Sequence, residues 1–235
     1  MTHQLCIPLF DSGPLTSYDG LNKALGTLPP YILNKSGRFL YSDISTLDVS
    51  NLREKRFYFL SHHPGGDPAN YPDTLKEEIR KWQYGNNNAY DESDWSPNSK
   101  LQNGVKALSG AIGVCYTKLC ASNLFFVRCK SSEELQMTSD DLQAHWKVHE
   151  QILEIVKPHF IIASGIETYK AIKELMPHFD KTKKLDSGHR RWPYWYVAES
   201  RFQTHNIKLI GLPNLSLYPI YCYPDVLTQI RNECS

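Results

Sequence analysis

Residues 139–175 read SDDLQAHWKVHEQILEIVKPHFIIASGIETYKAIKEL, and this stretch decides the fold. Leu142, Trp146, His149, Leu153 and Val156 recur at spacings of three and four, so Ser139–Val156 is expected to be a helix with one apolar stripe. Pro158 follows its end. Phe160–Ala163 is apolar at every position and too short for a helix, which suits a strand covered on both faces. Ser164-Gly165 breaks the strand, and Ile166–Leu175 is helical again. A helix, a fully apolar strand and a second helix make one unit of a parallel α/β sheet.

The same alternation extends in both directions. Arg56–Leu60 is an aromatic-rich strand that runs into Ser61-His62-His63-Pro64-Gly65-Gly66. Thr74–Gln83 is a helix through Leu75, Ile79 and Trp82, and Asn86–Asn98 is a polar loop. Gln102–Ile112 is a helix, and Leu119–Asn123 is a second strand. Beyond the central unit, Trp195–Ala198 is an additional strand. Ile207–Leu212 is a fourth core strand leading into Pro213-Asn214-Leu215-Ser216, and Asp225–Asn232 is a closing helix. The expected architecture is a three-layer αβα domain over residues 51–235, built on a central four-stranded parallel sheet. Residues 1–50, with Gly13-Pro14 and Pro29-Pro30, are expected to form an irregular arm packed on it.

Bulk properties narrow the classes. The 41% hydrophobic and 22% charged residues are those of a soluble globular protein. No apolar run approaches the ~18 residues of a membrane span, and no signal pattern opens the chain, so a cytoplasmic location is expected. The net charge of +1 means that any nucleic-acid contact must come from a local basic face. The six cysteines form no C-x-x-C pair, which suits reduced thiols and speaks against a zinc or iron–sulfur site. His145 and His149 have i, i+4 spacing but no metalloprotease glutamate, and His149 lies on the apolar stripe, so neither is read as a metal ligand. No Gly-x-Gly-x-x-Gly turn suggests a dinucleotide, and no cofactor is expected.

In parallel sheets ligands bind beyond the carboxyl ends of the strands. Here those ends carry His62 and His63, then Asn123, then Ser164, then Asn214 and Ser216. In this order the segments resemble the motifs of the uracil-DNA glycosylase superfamily. Ser61-His62-His63-Pro64-Gly65 is similar to the first catalytic motif. Ala121-Ser122-Asn123-Leu124-Phe125-Phe126 is similar to the strand whose terminal Asn reads the base. Pro158–Gly165 is similar to the strand before a helix, and Gly211-Leu212-Pro213-Asn214-Leu215-Ser216 to the second catalytic motif.

The resemblance implies a monofunctional glycosylase that flips a base from duplex DNA and hydrolyses its bond to the sugar, as a monomer and without metal. His63 stands where the family has a water-handling Asp or Asn; the alternative is a turn histidine bonded to backbone. Asp67, Asn88 and Asp91 are rival water-holders, and spacing does not choose among them. Gly65 stands where strict uracil enzymes place a bulky Tyr, which implies a pocket open to a 5-substituted pyrimidine; the alternative is a glycine serving the turn. Bacterial anti-phage members that remove glucosylated hydroxymethylcytosine fit this expectation, with uracil or mismatch repair and a non-catalytic DNA-binding relative as alternatives.

Asn123 is expected to pair with the edge of the flipped base, since an amide offers both donors and an acceptor. Asn214 would donate to the leaving base, and Ser216 would bind a phosphate. Strict register places Tyr218, with Leu217 beside it, as the wedge into the vacated stack; the alternative is a core Tyr. Tyr90 and Phe125 are candidates for the aromatic platform. Lys181-Thr182-Lys183-Lys184 with His189-Arg190-Arg191 reads as a basic loop for phosphates, and Arg128 is a further phosphate candidate. No lysine sits in the motifs, which implies hydrolysis without a Schiff base.

Overall fold

The computed structural model describes residues 19–42, 44–47, 57–82, 88–90, 99–176, 179–203 and 205–235. Among these, six strands form one sheet: β1 (Phe57–Ser61), β2 (Cys120–Asn123), β3 (Phe160–Ser164), β4 (Asp180–Asp186), β5 (Tyr194–Phe202) and β6 (His205–Leu212). Their spatial order is β2-β1-β3-β6-β5-β4. β2, β1, β3 and β6 run parallel, whereas β5 and β4 join antiparallel. The sheet therefore exceeds the expected four strands, which correspond to its parallel part.

Side-chain alternation divides the core in two. Tyr58 and Leu60 of β1, Ile161 and Ala163 of β3, and Leu209 of β6 face one layer. That layer holds α1 (Asp19–Gly26), α2 (Pro30–Leu33), α3 (Leu75–Trp82), α5 (Ser139–Val156) and α6 (Ile166–Leu175). Phe57, Phe59, Phe160, Ile162 and Ile210 face the other, with α4 (Lys100–Ile112) and α7 (Pro224–Glu233). α5 keeps its expected bounds because a full capping box closes its start: Thr138 accepts from Asp141 N while Asp141 accepts from Thr138 N. Gly211 in β6 has no side chain because the Tyr169 ring of α6 lies flat on it; a Cβ there would meet ring carbons at 2.4 Å.

Two expectations are corrected. The arm is not irregular throughout: α1 and α2 bury Leu21, Leu25 and Ile32 completely in the first core layer. The segment after them pairs with the chain around β2, through bonds from Arg38 N to Phe126 O (2.7 Å) and from Tyr41 N to Ala121 O (2.9 Å). The Lys-rich stretch at 181–184 is not a loop but part of the edge strand β4, where Lys183 pairs with Glu233 at 3.0 Å and Lys184 lies over the Tyr194 ring. Charged residues suit an edge strand because they oppose pairing with another chain.

Candidate functional site

The chain turns outward in opposite directions from β1 and β3, and a crevice opens beyond their carboxyl ends. It is a cavity of about 650 Å³ lined by the segments that follow β1, β2 and β6, by the start of α4, and by residues 38–41 of the arm and 128–132.

Asn123 ends β2, is fully buried, and lines this cavity, yet neither its Oδ1 nor its Nδ2 has a hydrogen-bond partner. A buried unpaired amide costs about 1–3 kcal/mol, so such a group calls for an explanation. Its backbone is held firmly. Ser61 of β1 pairs with Asn123 in register, and Leu124 N donates to Ser61 O at 2.8 Å. On the other side, His149 Nε2 donates to Leu124 O at 3.1 Å while its Nδ1 accepts from the Tyr58 hydroxyl at 2.8 Å. The carbonyl can only accept, which fixes that tautomer. The i, i+4 histidines of α5 are thus core groups. Among the described residues no cluster of His, Cys, Asp or Glu suited to a metal occurs.

The turn after β1 supplies His62, His63 and Gly65 to the cavity. His63 Nδ1 lies 3.1 Å from Pro64 O and 3.2 Å from Cys129 Sγ, and its Nε2 lies 3.3 Å from the Ser132 hydroxyl; donation from Nδ1 to the carbonyl would leave the Nε2 lone pair to accept. Gly65 is distinct from its neighbour. Gly66 has φ +102° and serves the turn, whereas Gly65 is absent from the positive-φ glycines and a Cβ on it would meet nothing within 4 Å. The position of the missing side chain at 65 is therefore open space, at an exposed residue that lines the cavity.

After β6, Asn214 Oδ1 accepts from Ser216 N at 2.9 Å, which leaves its Nδ2 as the donor presented to the cavity. Ser164 lies behind this loop and accepts from Leu215 N at 3.0 Å. Ser216 and Leu217 line the rim, and Leu217 is 50% exposed. Tyr218 is not the wedge: it is fully buried, donates to Ser187 O at 2.7 Å and stacks on Tyr223. Leu217 N and Tyr218 N both bond to Asn214 O in a tight turn that leaves Leu217 exposed and Tyr218 buried.

Several expected site residues stand apart. Asp67 does not line the cavity; it caps Ala69 N at 3.1 Å and pairs with Lys130 at 3.0 Å. The Lys130 bond holds its carboxyl below the usual range. Asn88 is spent on local structure, with Nδ2 donating to Thr117 O and Oδ1 accepting from Tyr90 N, both at 3.0 Å. Asp91 lies outside the described residues. Tyr90 is buried behind Tyr41, stacked at 5.7 Å, and Phe125 is buried with its ring at right angles to His62. Neither reaches the cavity.

Arg128 is not a surface phosphate ligand. It is 8% exposed, donates to Gly65 O, lies 3.8 Å from the centre of the Tyr71 ring, and leaves its Nε unpartnered. Tyr71, Arg38, Tyr41, Lys100 and Lys130 also line the cavity, none of them marked by a sequence motif. No Asp or Glu does so among the described residues, so the cavity suits an electron-rich or anionic ligand. Lys130 is poorly suited to attack a carbon, since its bond to Asp67 raises its pKa and keeps it an ammonium. Arg190 and Arg191 are exposed in the turn between β4 and β5, at the same end of the sheet. That turn is tied to the Leu217 loop through Ser187 and Tyr218.

No protein-family model matches the chain, and no curated protein matches it at a significant level. Among the described residues no helix is long and apolar enough to cross a membrane.

Proposed function

We propose that the protein is a monofunctional DNA glycosylase with a uracil-DNA-glycosylase-like fold, acting as a cytoplasmic monomer on a 5-modified pyrimidine flipped out of duplex DNA. The observation that carries this reading is Asn123, a fully buried amide with both polar atoms unpaired at the floor of the cavity. A flipped pyrimidine offers the missing donors and acceptors along its Watson–Crick edge. The exposed Leu217 at the rim is the group that fills the vacated stack, and Arg190 and Arg191 meet flanking phosphates.

The chemistry follows from the placement. Asn123 holds the base, and water lies on the His63 side, where Nε2 accepts its proton. The bond from sugar C1′ to the base nitrogen breaks with its electron pair on the base, and the water oxygen bonds to C1′. Asn214 Nδ2 donates to the departing base, which ends protonated. No residue of this chain is consumed, and a 5-substituent such as a glucosylated hydroxymethyl group would extend past Gly65, where a Cβ would meet nothing within 4 Å.

The lack of a lining carboxylate supports a second reading, a protein that flips and holds a modified base without cutting it. Oligonucleotides carrying uracil, a thymine mismatch, hydroxymethylcytosine or its glucosylated form separate the two. Alkali-labile breaks are expected with a 5-substituted base; binding without breaks on any of them favours the holding protein. Gly65→Tyr adds a wall where space is open. It is expected to fold with a stability change within about 0.5 kcal/mol and to lose excision of the bulky base selectively. Equal loss on small and bulky bases would remove Gly65 from substrate choice. Replacing Arg190 and Arg191 by Gln is expected to lower the slope of log affinity against log salt by about 2, one phosphate contact each. An unchanged slope would place DNA elsewhere.

A further inference from the structure

His62 lines the cavity and takes no part in the steps described so far. His62 follows Ser61 at the end of β1, beside Asn123 on the neighbouring strand. Its backbone O accepts from Phe125 N at 2.9 Å, next to the Leu124-to-Ser61 bond, so the loops bearing His62 and Asn123 are stitched together twice. Among the described residues the ring meets aromatic edges, and its Nδ1 has no hydrogen-bond partner. It meets Phe125 at 5.4 Å and 74°, and His63 at 5.3 Å and 73°. Phe125 is in turn braced edge-on by His145 at 5.6 Å. The consequence is a fixed imidazole whose Nδ1 is buried without a partner in the cavity wall.

We propose that His62 is a second base-contacting group, which donates a hydrogen bond to an oxygen of the flipped base as negative charge develops there. The proposal rests on the glycosylase reading of the same site. Burial lowers the His62 pKa to about 4, so at neutral pH the ring is an uncharged imidazole with one N–H to give. An uncharged imidazole can stabilise a developing oxyanion by donation alone, as catalytic histidines of depressed pKa do in other enzymes. The electron pair of the broken C1′–N bond is delocalised onto the base oxygen. His62 keeps its proton, and the water proton taken by His63 goes to the departing base, so the reaction balances without an added acid. His62 and Asn214 then act from different strand ends on the same leaving group, one from the turn after β1 and one from the loop after β6.

The test compares His62→Phe, which keeps the aromatic edges and removes both nitrogens, with His62→Gln, which keeps a donor. Single-turnover excision is measured on whichever oligonucleotide the wild type cuts. Affinity is measured on duplex DNA carrying a tetrahydrofuran abasic analogue. A preorganised donor of this kind is worth about 100-fold or more in rate. The expected result is a loss of that size for His62→Phe, with abasic-analogue affinity within about twofold of wild type, and recovery of about 10-fold by His62→Gln. Excision by His62→Phe within about threefold of wild type overturns the inference and leaves the glycosylase reading intact. If His62→Phe does not fold, His62→Gln decides alone: a rate above that of His62→Ala supports donation, and equal rates refute it. A wild type that binds DNA but cuts none of the four substrates overturns the glycosylase reading, and this inference with it.

Discussion

Exchanging Asn123 for Leu is expected to lower base excision by about 100- to 1000-fold while leaving the protein at least as stable as the wild type. The two halves of this result come from one fact. Asn123 sits at zero exposure with an unpaired acceptor and unpaired donors, so its amide is a liability in the free protein. Leucine has a similar volume and carries no polar atom, and replacing a buried unsatisfied group by an apolar one is neutral or favourable. The base loses its partner at the same time. An Asn whose job was to cap a turn would behave in the opposite way, with a lower melting temperature and activity largely retained. Melting by circular dichroism, alongside single-turnover excision, reads both halves on one preparation.

Acid is expected to unfold the protein well above the pH at which carboxylates alone would do so. Burial holds the pKa of His62 at about 4, of His145 at about 3 and of His149 at about 4. In the unfolded chain each returns to about 6.5. The folded state keeps these rings neutral, so below pH 6.5 the unfolded state binds more protons and stability falls as pH falls. Each group contributes a slope of about 1.4 kcal/mol per pH unit until its folded pKa is reached. Three of them acting between pH 6.5 and 4 remove roughly 10 kcal/mol at most, which is comparable to the whole stability of a typical domain, about 5–15 kcal/mol. These values already include Asp141, which favours the protonated form of His145, and Glu167, which favours that of His62. The melting temperature should therefore begin to drop just below pH 6.5 and the fold should be lost before pH 4. A melting temperature constant from pH 7 to pH 4 would mean that these rings are not buried as described.

The central sheet was legible because a buried parallel strand must be apolar at every position and must be punctuated at its end. Phe160–Ala163, between a capped helix and Ser164-Gly165, met both conditions. α1 was not legible: its apolar positions Leu21 and Leu25 follow helical spacing, but Gly and Pro on both sides masked it. β4 was missed because an edge strand rich in Lys has the composition of a solvated loop. In the site, Asn123, Gly65 and Asn214 could be located because each is fixed by its distance from the end of a strand. Tyr41 and Arg38 could not, because they reach the cavity through pairing between distant parts of the chain. A single tight turn leaves Leu217 exposed and Tyr218 buried, a detail that spacing in one dimension does not carry.

The claim at the centre of this account is that the cavity receives a base and releases it from DNA through Asn123. The most direct measurement needs no prior choice of base. The protein is incubated with genomic DNAs containing uracil, hydroxymethylcytosine or glucosylated hydroxymethylcytosine; abasic sites are counted with an aldehyde-reactive probe, and the freed base is identified by mass spectrometry. The expected result is a free 5-substituted pyrimidine in equal number to new abasic sites, and about 100- to 1000-fold slower release of both with Asn123→Leu, which has no polar atom to offer the base. DNA bound without any free base, or release undiminished in Asn123→Leu, would contradict it.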